Sequence, residues 1–295
     1  MTDIPAGFRD KLKKTASISP LILKEKMKSS DRGTAKYLFL TKEGFGIEVV
    51  KIRDKDRTTL CISSQAGCPF RCTFCATGLG GYKRDLSTGE ILYQVLYFTG
   101  EQKENITNIV FMGMGETLLN YKNVIKTIKI LNSKDAMNFG IRRITVSTCG
   151  LPEQIRKLAR EGLEVNLSVS LNAANDAVRS KIMPVNRKFP VEELMRALKY
   201  YCQTTRRRVT YEYVMIKGVN DTIKDAKELS SLLEGTLSHV NLIPFNHVRG
   251  SAFEGSTRER IKLFREILSH SGVNATIRNS RGSDIRAACG QLAVG

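Results

Sequence analysis

Histidine is scarce in this chain of 295 residues, with only three. Acidic residues are short too: 29 Asp and Glu face 47 Lys and Arg, a net charge of +18. No apolar run approaches the length of a membrane span, so a transmembrane helix is not expected. The N-terminus carries charges but no apolar core of the kind a secretory signal needs. No internal repeat or low-complexity stretch organises the chain. The shortage of acid points to a polyanionic partner, most simply nucleic acid, because net charge acts on association rather than on fold. Seven cysteines, an odd number, in a chain far longer than a secreted disulfide module fit a reducing cytoplasm with metal-binding or catalytic thiols.

Four of those cysteines lie close together. Cys68, Cys72 and Cys75 have the spacing C-x3-C-x2-C in one short segment, followed by Ala76-Thr77-Gly78. Cys61 lies seven residues upstream, on an alternating run that reads as a strand. Structural zinc takes four nitrogen or sulfur ligands, typically from paired motifs. A fourth ligand would have to be distant here, with only three histidines to draw on. A four-iron cluster normally takes four thiolates, so three would leave one iron open to a small molecule. Zinc remains the competing reading of the spacing alone.

The length is within reach of a single α/β barrel, and 41% hydrophobic residues suffice for a core. Residues 1–35 are Lys-rich and suggest one or two short helices. Tyr37–Leu40 and Gly46–Ile52 read as a hairpin turning at Lys42-Glu43-Gly44. From residue 58, strand candidates at 58–65, 105–113, 142–148, 165–172, 208–216 and 239–245 alternate with helix candidates at 88–100, 121–133, 152–161, 191–205, 223–234 and 257–271. Capping boxes are expected at Ser87/Glu90 and Ser256/Glu259. Regular β/α alternation implies parallel strands with crossover helices. The expected fold is an α/β incomplete barrel of six β/α units over 58–295, ending in a C-terminal loop, with a small N-terminal extension over 1–57. Asn274–Asn279 could add a strand.

Strand parity carries the argument further. Leu60 and Ile62 alternate with Cys61, Ser63 and Gln65, and Leu167, Val169 and Leu171 alternate with Asn166, Ser168, Ser170 and Asn172. Successive side chains point to opposite faces. If the apolar sets meet the helices, the interior is polar, unlike the packed interior of an ordinary barrel. Active sites of parallel β/α folds lie at the C-terminal strand ends. There the cysteine loop, Gly113-Met-Gly115-Glu116, Ser147-Thr-Cys149-Gly150, Ser170-Leu171-Asn172 and Pro244-Phe245-Asn246 converge.

The cysteine loop with its Ala-Thr-Gly resembles the cluster loop of radical S-adenosylmethionine (SAM) enzymes. From about residue 45 onward the chain resembles one branch, the RlmN/Cfr family of RNA adenine methyltransferases, and looks closer to its carbon-2 than its carbon-8 members. The matching segments are Thr59–Gln65, Phe111–Glu116, Val146–Gly150, Asn241–Asn246 and, most specific, Gly282–Leu292 with Cys289. The resemblance implies that Cys68, Cys72 and Cys75 hold a [4Fe-4S] cluster. It implies that Gly115 and Glu116 bind the SAM amino group, and that Ser147, Ser170, Leu171, Asn172 and Asn246 contact the rest of SAM. Cys289 would be the cysteine that becomes methylated, Cys61 its partner thiol, and Glu48 a proton acceptor. Two SAM molecules per turnover, a 23S rRNA and/or tRNA substrate, a low-potential electron donor such as flavodoxin and a monomeric state follow in the same way.

Three departures stand out from the family pattern. Asn172 replaces a usual His, Thr117 replaces a Pro, and about 35 residues stand where the family carries a helical N-terminal domain. Cys149 and Cys202 read as core, and His239, His247 and His270 as structural. Arg278, Arg281 and Arg286 are the stronger RNA candidates, and Arg206-Arg207-Arg208 suits a helix C-terminus. The competing functional readings are radical SAM chemistry on a small molecule, a carbon-8 methylase, and a cluster-bearing RNA-binding protein without catalysis.

Overall fold

The computed structural model describes residues 4–15 and 19–293. The portions of the expected N-terminal extension at 1–3 and 16–18, and of the C-terminal loop at 294–295, lie outside the described residues. Helix α1 (Ala6–Thr15) precedes strands β1 (Ile22–Lys28), β2 (Thr34–Leu40), β3 (Gly46–Asp54) and β4 (Arg57–Cys61). A short β5 (Gln65–Gly67), helix α2 (Ala76–Leu79) and β6 (Tyr82–Asp85) follow. The chain then alternates: α3 (Thr88–Leu96), β7 (Asn108–Phe111), α4 (Tyr121–Asn132), β8 (Ile144–Thr148), α5 (Pro152–Arg160) and β9 (Asn166–Ser170). The remainder is α6 (Asp176–Ile182), α7 (Val191–Thr205), β10 (Val209–Met215), α8 (Ile223–Leu233), β11 (Ser238–Pro244), α9 (Arg258–His270) and β12 (Ala275–Ile277).

Ten strands form one sheet in the order β1-β2-β3-β4-β7-β8-β9-β10-β11-β12. The first three pairings are antiparallel and all the later ones parallel. The α/β alternation is as expected, and β12 is the added strand. β3 pairs with β4, so the sheet runs unbroken through the boundary expected at 57/58. Among the described residues no helix is long and apolar enough to cross a membrane.

Parity sorts the two faces. Leu60, Ile109, Val146, Leu167, Tyr211 and Leu242 all fall on one face and are fully buried or nearly so. They meet the apolar stripes of the crossover helices, such as Val124, Ile128 and Leu131 of α4. An aromatic cluster locks the N-terminal hairpin onto α3. Tyr37 meets Phe98 edge-to-face at 4.7 Å between ring centres, and Phe39 meets Tyr97 at 5.1 Å.

Several expectations need correction. Residues 22–28 form an edge strand, not a helix. Its lysines hid it, and charge on an edge strand is a common guard against edge-to-edge pairing. The helix expected at 88–100 changes to a π turn over Tyr97–Glu101, where Tyr97 and Phe98 turn into the aromatic cluster. The strand expected at 58–65 stops at Cys61, and β5 pairs with β6 in a separate two-stranded sheet. The cap of α9 is Thr257, not Ser256, whose hydroxyl donates to Asp221 instead. Helix α6 was not foreseen; Asn175 caps it by accepting from the Val178 amide. The capping box at Ser87 and Glu90 is present, and Thr222 with Asp225 forms another.

The break after Cys61 is made good by a side chain. Gln94 of α3 accepts from the Ser63 amide at 2.8 Å and donates to the Ser63 carbonyl at 2.9 Å, all buried. Gln94→Leu strands both groups, at about 1–3 kcal/mol each. We expect a stability loss of about 2–6 kcal/mol by urea denaturation. A loss below ~0.5 kcal/mol would show that this backbone finds other partners.

Candidate active site

The face away from the helices is polar. Register aligns Val50 with Cys61, Cys61 with Val110, Val110 with Thr145, and Thr145 with Asn166. It then aligns Ser170 with Glu212, Glu212 with Asn241, and Asn241 with Thr276. Alternation adds Glu48, Ser147 and Ser168 to the same face. A hydrogen-bonded row crosses it. Ser168 donates to Glu212 Oε1 at 2.6 Å, Asn241 donates to the same oxygen at 3.0 Å, and Thr276 donates to Asn241 at 2.9 Å. Burial raises the Glu212 carboxyl above the ordinary range, while Ser168 and Asn241 pull it back.

The cysteine loop hangs from the end of this sheet. Gly67 has φ +79°, and a Cβ there would lie 1.9 Å from the Gly81 carbonyl oxygen, so only glycine fits. The Cys68 amide donates to that carbonyl at 2.9 Å, and the Cys75 amide to the Cys72 carbonyl at 3.1 Å. Cys68, Cys72 and Cys75 are all half-buried. Desolvation raises Cys68 to about 12 and Cys72 well above the ordinary thiol value, with further upward contributions from neighbouring thiols. Thiols held this way ionise only against strong positive charge, which coordinated metal supplies. Among the described residues no three His, Cys, Asp or Glu side chains converge on a single-ion site. Three cysteine thiols in one loop are a soft donor set that suits an iron–sulfur cluster.

The predicted SAM residues lie at or after the C-terminal ends of the parallel strands, and they present different groups. Gly115 sits at φ +102°, where a Cβ would fall 2.5 Å from Gln65 Cβ. Glu116 is buried; its carboxylate accepts from the Cys149 amide at 2.7 Å and the Leu118 amide at 3.0 Å. It therefore fastens the ends of two strands together, and burial raises its pKa above the ordinary carboxyl range. Ser147 and Ser170 are half-buried on the inner face, and Leu171 is fully buried. Asn172 has a left-handed backbone at φ 59°. Its side chain turns away to accept from the Val214 amide at 2.8 Å and to meet Met183 sulfur at 3.2 Å. Asn tolerates that conformation better than most residues, which accounts for its presence here. Asn246 donates to the Cys289 carbonyl at 3.1 Å.

The C-terminal loop returns to the same place. The Gly290 carbonyl accepts from the Ala76 amide at 2.7 Å, and the Leu292 carbonyl from the Thr77 hydroxyl at 2.5 Å. Ile285, Ala287 and Leu292 pack with Val50 and Met114, with Cys61 against them. Cys289 is solvent-exposed, yet protein surrounds its sulfur closely enough that desolvation raises the thiol, and Glu212 adds to the shift. Burial also raises Cys61, and the nearby Cys289 adds to it. The structure thus brings Cys61, Cys289 and the cluster loop together. Glu48 is buried and pairs with Lys36 at 2.8 Å, while its Oε2 has no partner. Lys36 also donates to the Arg286 carbonyl at 3.3 Å, so Glu48 is tied to the Cys289 loop. Burial raises the Glu48 carboxyl.

Some important residues were missed. Glu212 shows the parity of the polar face, a signal that was available. Arg179 and Lys36 carried no signal, one on a helix not foreseen and the other on an ordinary-looking strand. Cys149 is buried in the core, and Cys202 packs against it. His239 faces Thr276 at 3.1 Å, and His270 meets the Glu266 carbonyl at 2.8 Å. Arg207 is held by Val165 and Asn166.

Comparison with known proteins agrees with this geometry. The description of the radical SAM superfamily matches residues 62–230. A probable dual-specificity RNA methyltransferase RlmN of Thermotoga neapolitana is 50% identical over 292 residues, which are 99% of this chain and 85% of that protein. One from Thermoanaerobacter sp. (strain X514) is 47% identical over the same shares. The chain belongs to the RlmN family of radical SAM proteins. The crystal structure of a radical SAM methyltransferase from Sphaerobacter thermophilus superposes with a TM-score of 0.95 at 46% identity, covering 98% of this chain and 86% of that one. RlmN family membership brings a [4Fe-4S] cluster and SAM as cofactors, and Cys68, Cys72 and Cys75 fit the cluster by the donor chemistry above.

The loop bearing Cys289 is anchored by a charge. Asp284 accepts from the Ser30 amide at 2.8 Å and the Ser29 hydroxyl at 2.7 Å. These bonds lower its carboxyl from 3.8 to about 2. A lowered acid stabilises the docked loop above its ordinary value and loses that contribution as pH falls. Amide-exchange protection over 285–290, corrected for intrinsic rates, should therefore fall between pH 3.8 and about 2. In Asp284→Asn it should be weaker at neutral pH and show a smaller change in that window. Identical profiles for the two proteins would contradict the anchor.

Proposed function

We propose that this chain methylates carbon 2 of an adenine in RNA, 23S rRNA and tRNA being the substrates, through a methylated Cys289. The observation that carries this is the approach of two thiols, Cys61 on β4 and Cys289 on the C-terminal loop, beside the cluster loop. The printed names of the relatives, dual-specificity RNA methyltransferases, support the substrate class. The +18 charge supports a polyanion, and Arg278 and Arg286 stand exposed near the loop, while Arg281 is held by Asp54 at 3.0 Å. Curling of the sheet into an incomplete barrel is part of the proposal. Cys61 and Glu212 lie four places apart in the sheet, about 19 Å if it were flat at ~4.8 Å per strand. Both interact with Cys289, which supports a curved sheet closing around it.

The base dictates this arrangement. Carbon 2 of adenine is electron-poor, and the methyl of SAM is an electrophile, so direct transfer would join two electrophiles. When bound, the cluster and two SAM molecules supply a methyl group and a radical able to take hydrogen from it. Cys289 then acts as carrier: its sulfur takes the methyl and presents the carbon to the base. After carbon 2 has bonded to that carbon, the adduct would return one electron to the bound cluster, which gave one up to split SAM, and lose the carbon-2 proton, for which Glu48 is the acceptor. Cys61 then attacks the Cys289 sulfur. The carbon–sulfur bond breaks, its electron pair stays on the carbon, and a proton completes the methyl group. The disulfide left behind needs reduction, which a reducing cytoplasm provides. Gly115 receives the SAM amino group through its backbone, and Glu116 through the lone pairs its carboxylate keeps beyond the bonds from the Cys149 and Leu118 amides. Ser147, Ser170, Leu171, Asn172 and Asn246 line the rest, Leu171 and Asn172 through their backbone. The protein acts as a monomer, with electrons from a low-potential donor such as flavodoxin.

Peptide mass spectrometry of protein isolated from cells should find one extra methylene mass on Cys289. RNA from cells with and without the protein should differ in 2-methyladenosine. Cys289→Ala should abolish both signals. An unmodified Cys289 together with unchanged RNA would refute the function.

A further inference from the structure

Arg179 of α6 is completely buried, the largest side chain so placed among the described residues. Its guanidinium donates to the Leu171 carbonyl at 3.0 Å, Asn186 Oδ1 at 2.9 Å, the Cys149 carbonyl at 2.5 Å and the Ser170 carbonyl at 3.3 Å. All four acceptors are neutral. Among the described residues no carboxylate forms an ion pair with it; Asp176 is a nearby charge joined to it through Asn186, which donates to Asp176 at 2.9 Å. A buried cation without an anion is costly, so one is expected close by. Arg179 lies on α6, which ends at Ile182 beside the cysteine loop. The same helix is tied to the cysteine loop, because the Ile182 carbonyl accepts from the Thr73 amide at 3.0 Å.

We propose that Arg179 is the buried counter-charge of the iron–sulfur cluster and raises its reduction potential. Adding an electron makes the cluster more negative, and a fixed cation nearby stabilises that state. Net charge around a cluster is one of the levers that set its potential. The guanidinium also holds the strand ends at Cys149, Ser170 and Leu171, so charge and scaffold meet in one residue. This rests on the cluster bound by Cys68, Cys72 and Cys75.

The test is an anaerobic potentiometric titration, followed by electron paramagnetic resonance, of reconstituted full-length protein. Iron is counted in each sample. In Arg179→Gln the ratio of reduced to oxidised cluster, at the wild-type midpoint, should fall at least tenfold, about 59 mV for one electron. Arg179→Lys, which keeps the charge, should stay near wild type. Asp176→Asn removes a nearby negative charge, keeps an acceptor oxygen, and should shift the potential upward. An Arg179→Gln protein that holds its cluster at the wild-type potential overturns the proposal. If Arg179→Gln does not fold, Asp176→Asn decides: an upward shift supports the counter-charge, and no shift overturns it. A wild-type protein that takes up no cluster would instead sink the functional proposal beneath it.

Discussion

Residues 290–292 are held against the cysteine loop by hydrogen bonds to their backbone carbonyls, and the rest of the site depends on that attachment. The Ala76 amide, at the start of α2, donates to the Gly290 carbonyl. Cys289 is thereby placed next to the loop that carries Cys68, Cys72 and Cys75. On the other side Ile285, Ala287 and Leu292 bury themselves against Val50 and Met114, which brings the loop over Cys61. A segment with little regular structure is therefore positioned by two different forces, a hydrogen bond to a helix start and a small apolar contact. Asp284 and Asn246 add polar anchors at either end.

The sheet supplies what this loop faces. Strand parity sends the large apolar side chains to the helices and leaves Ser168, Glu212, Asn241 and Thr276 hydrogen-bonded to one another on the inner face. Such a row is polar enough to receive a polar molecule. The fold thus separates its tasks: helices and outer face provide stability, inner face and strand ends provide chemistry.

Much of this was legible in the sequence because it depends on local periodicity. Helix α7 falls on Val191–Thr205 as expected, and the six β/α units and the hairpin follow from alternation and turn residues. The polar inner face was visible in the parity of 166–172. What stayed hidden was non-local. β1 is a strand only because β2 pairs with it, and its own lysines say nothing of that. The end of β4 at Cys61 depends on Gln94, thirty-one residues from Ser63. Glu116 was read as a SAM contact, and the motif did not show that its carboxylate also accepts from the amides of Cys149 and Leu118. Asn172 matched a ligand motif, but its side chain serves Val214 and Met183. Motifs told which segments meet, not which atoms each one turns inward.

The central claim is that one cysteine carries the carbon and the other frees it. The direct measurement is denaturing gel analysis of Cys61→Ala protein purified from cells. Without the second thiol the Cys289 carbon–sulfur bond to the base cannot be broken by disulfide formation. The account predicts a covalent protein–RNA adduct that survives denaturation, is absent from wild type, and disappears when Cys289→Ala is added. A Cys61→Ala protein that turns over at the wild-type rate, or an adduct that persists without Cys289, would contradict it.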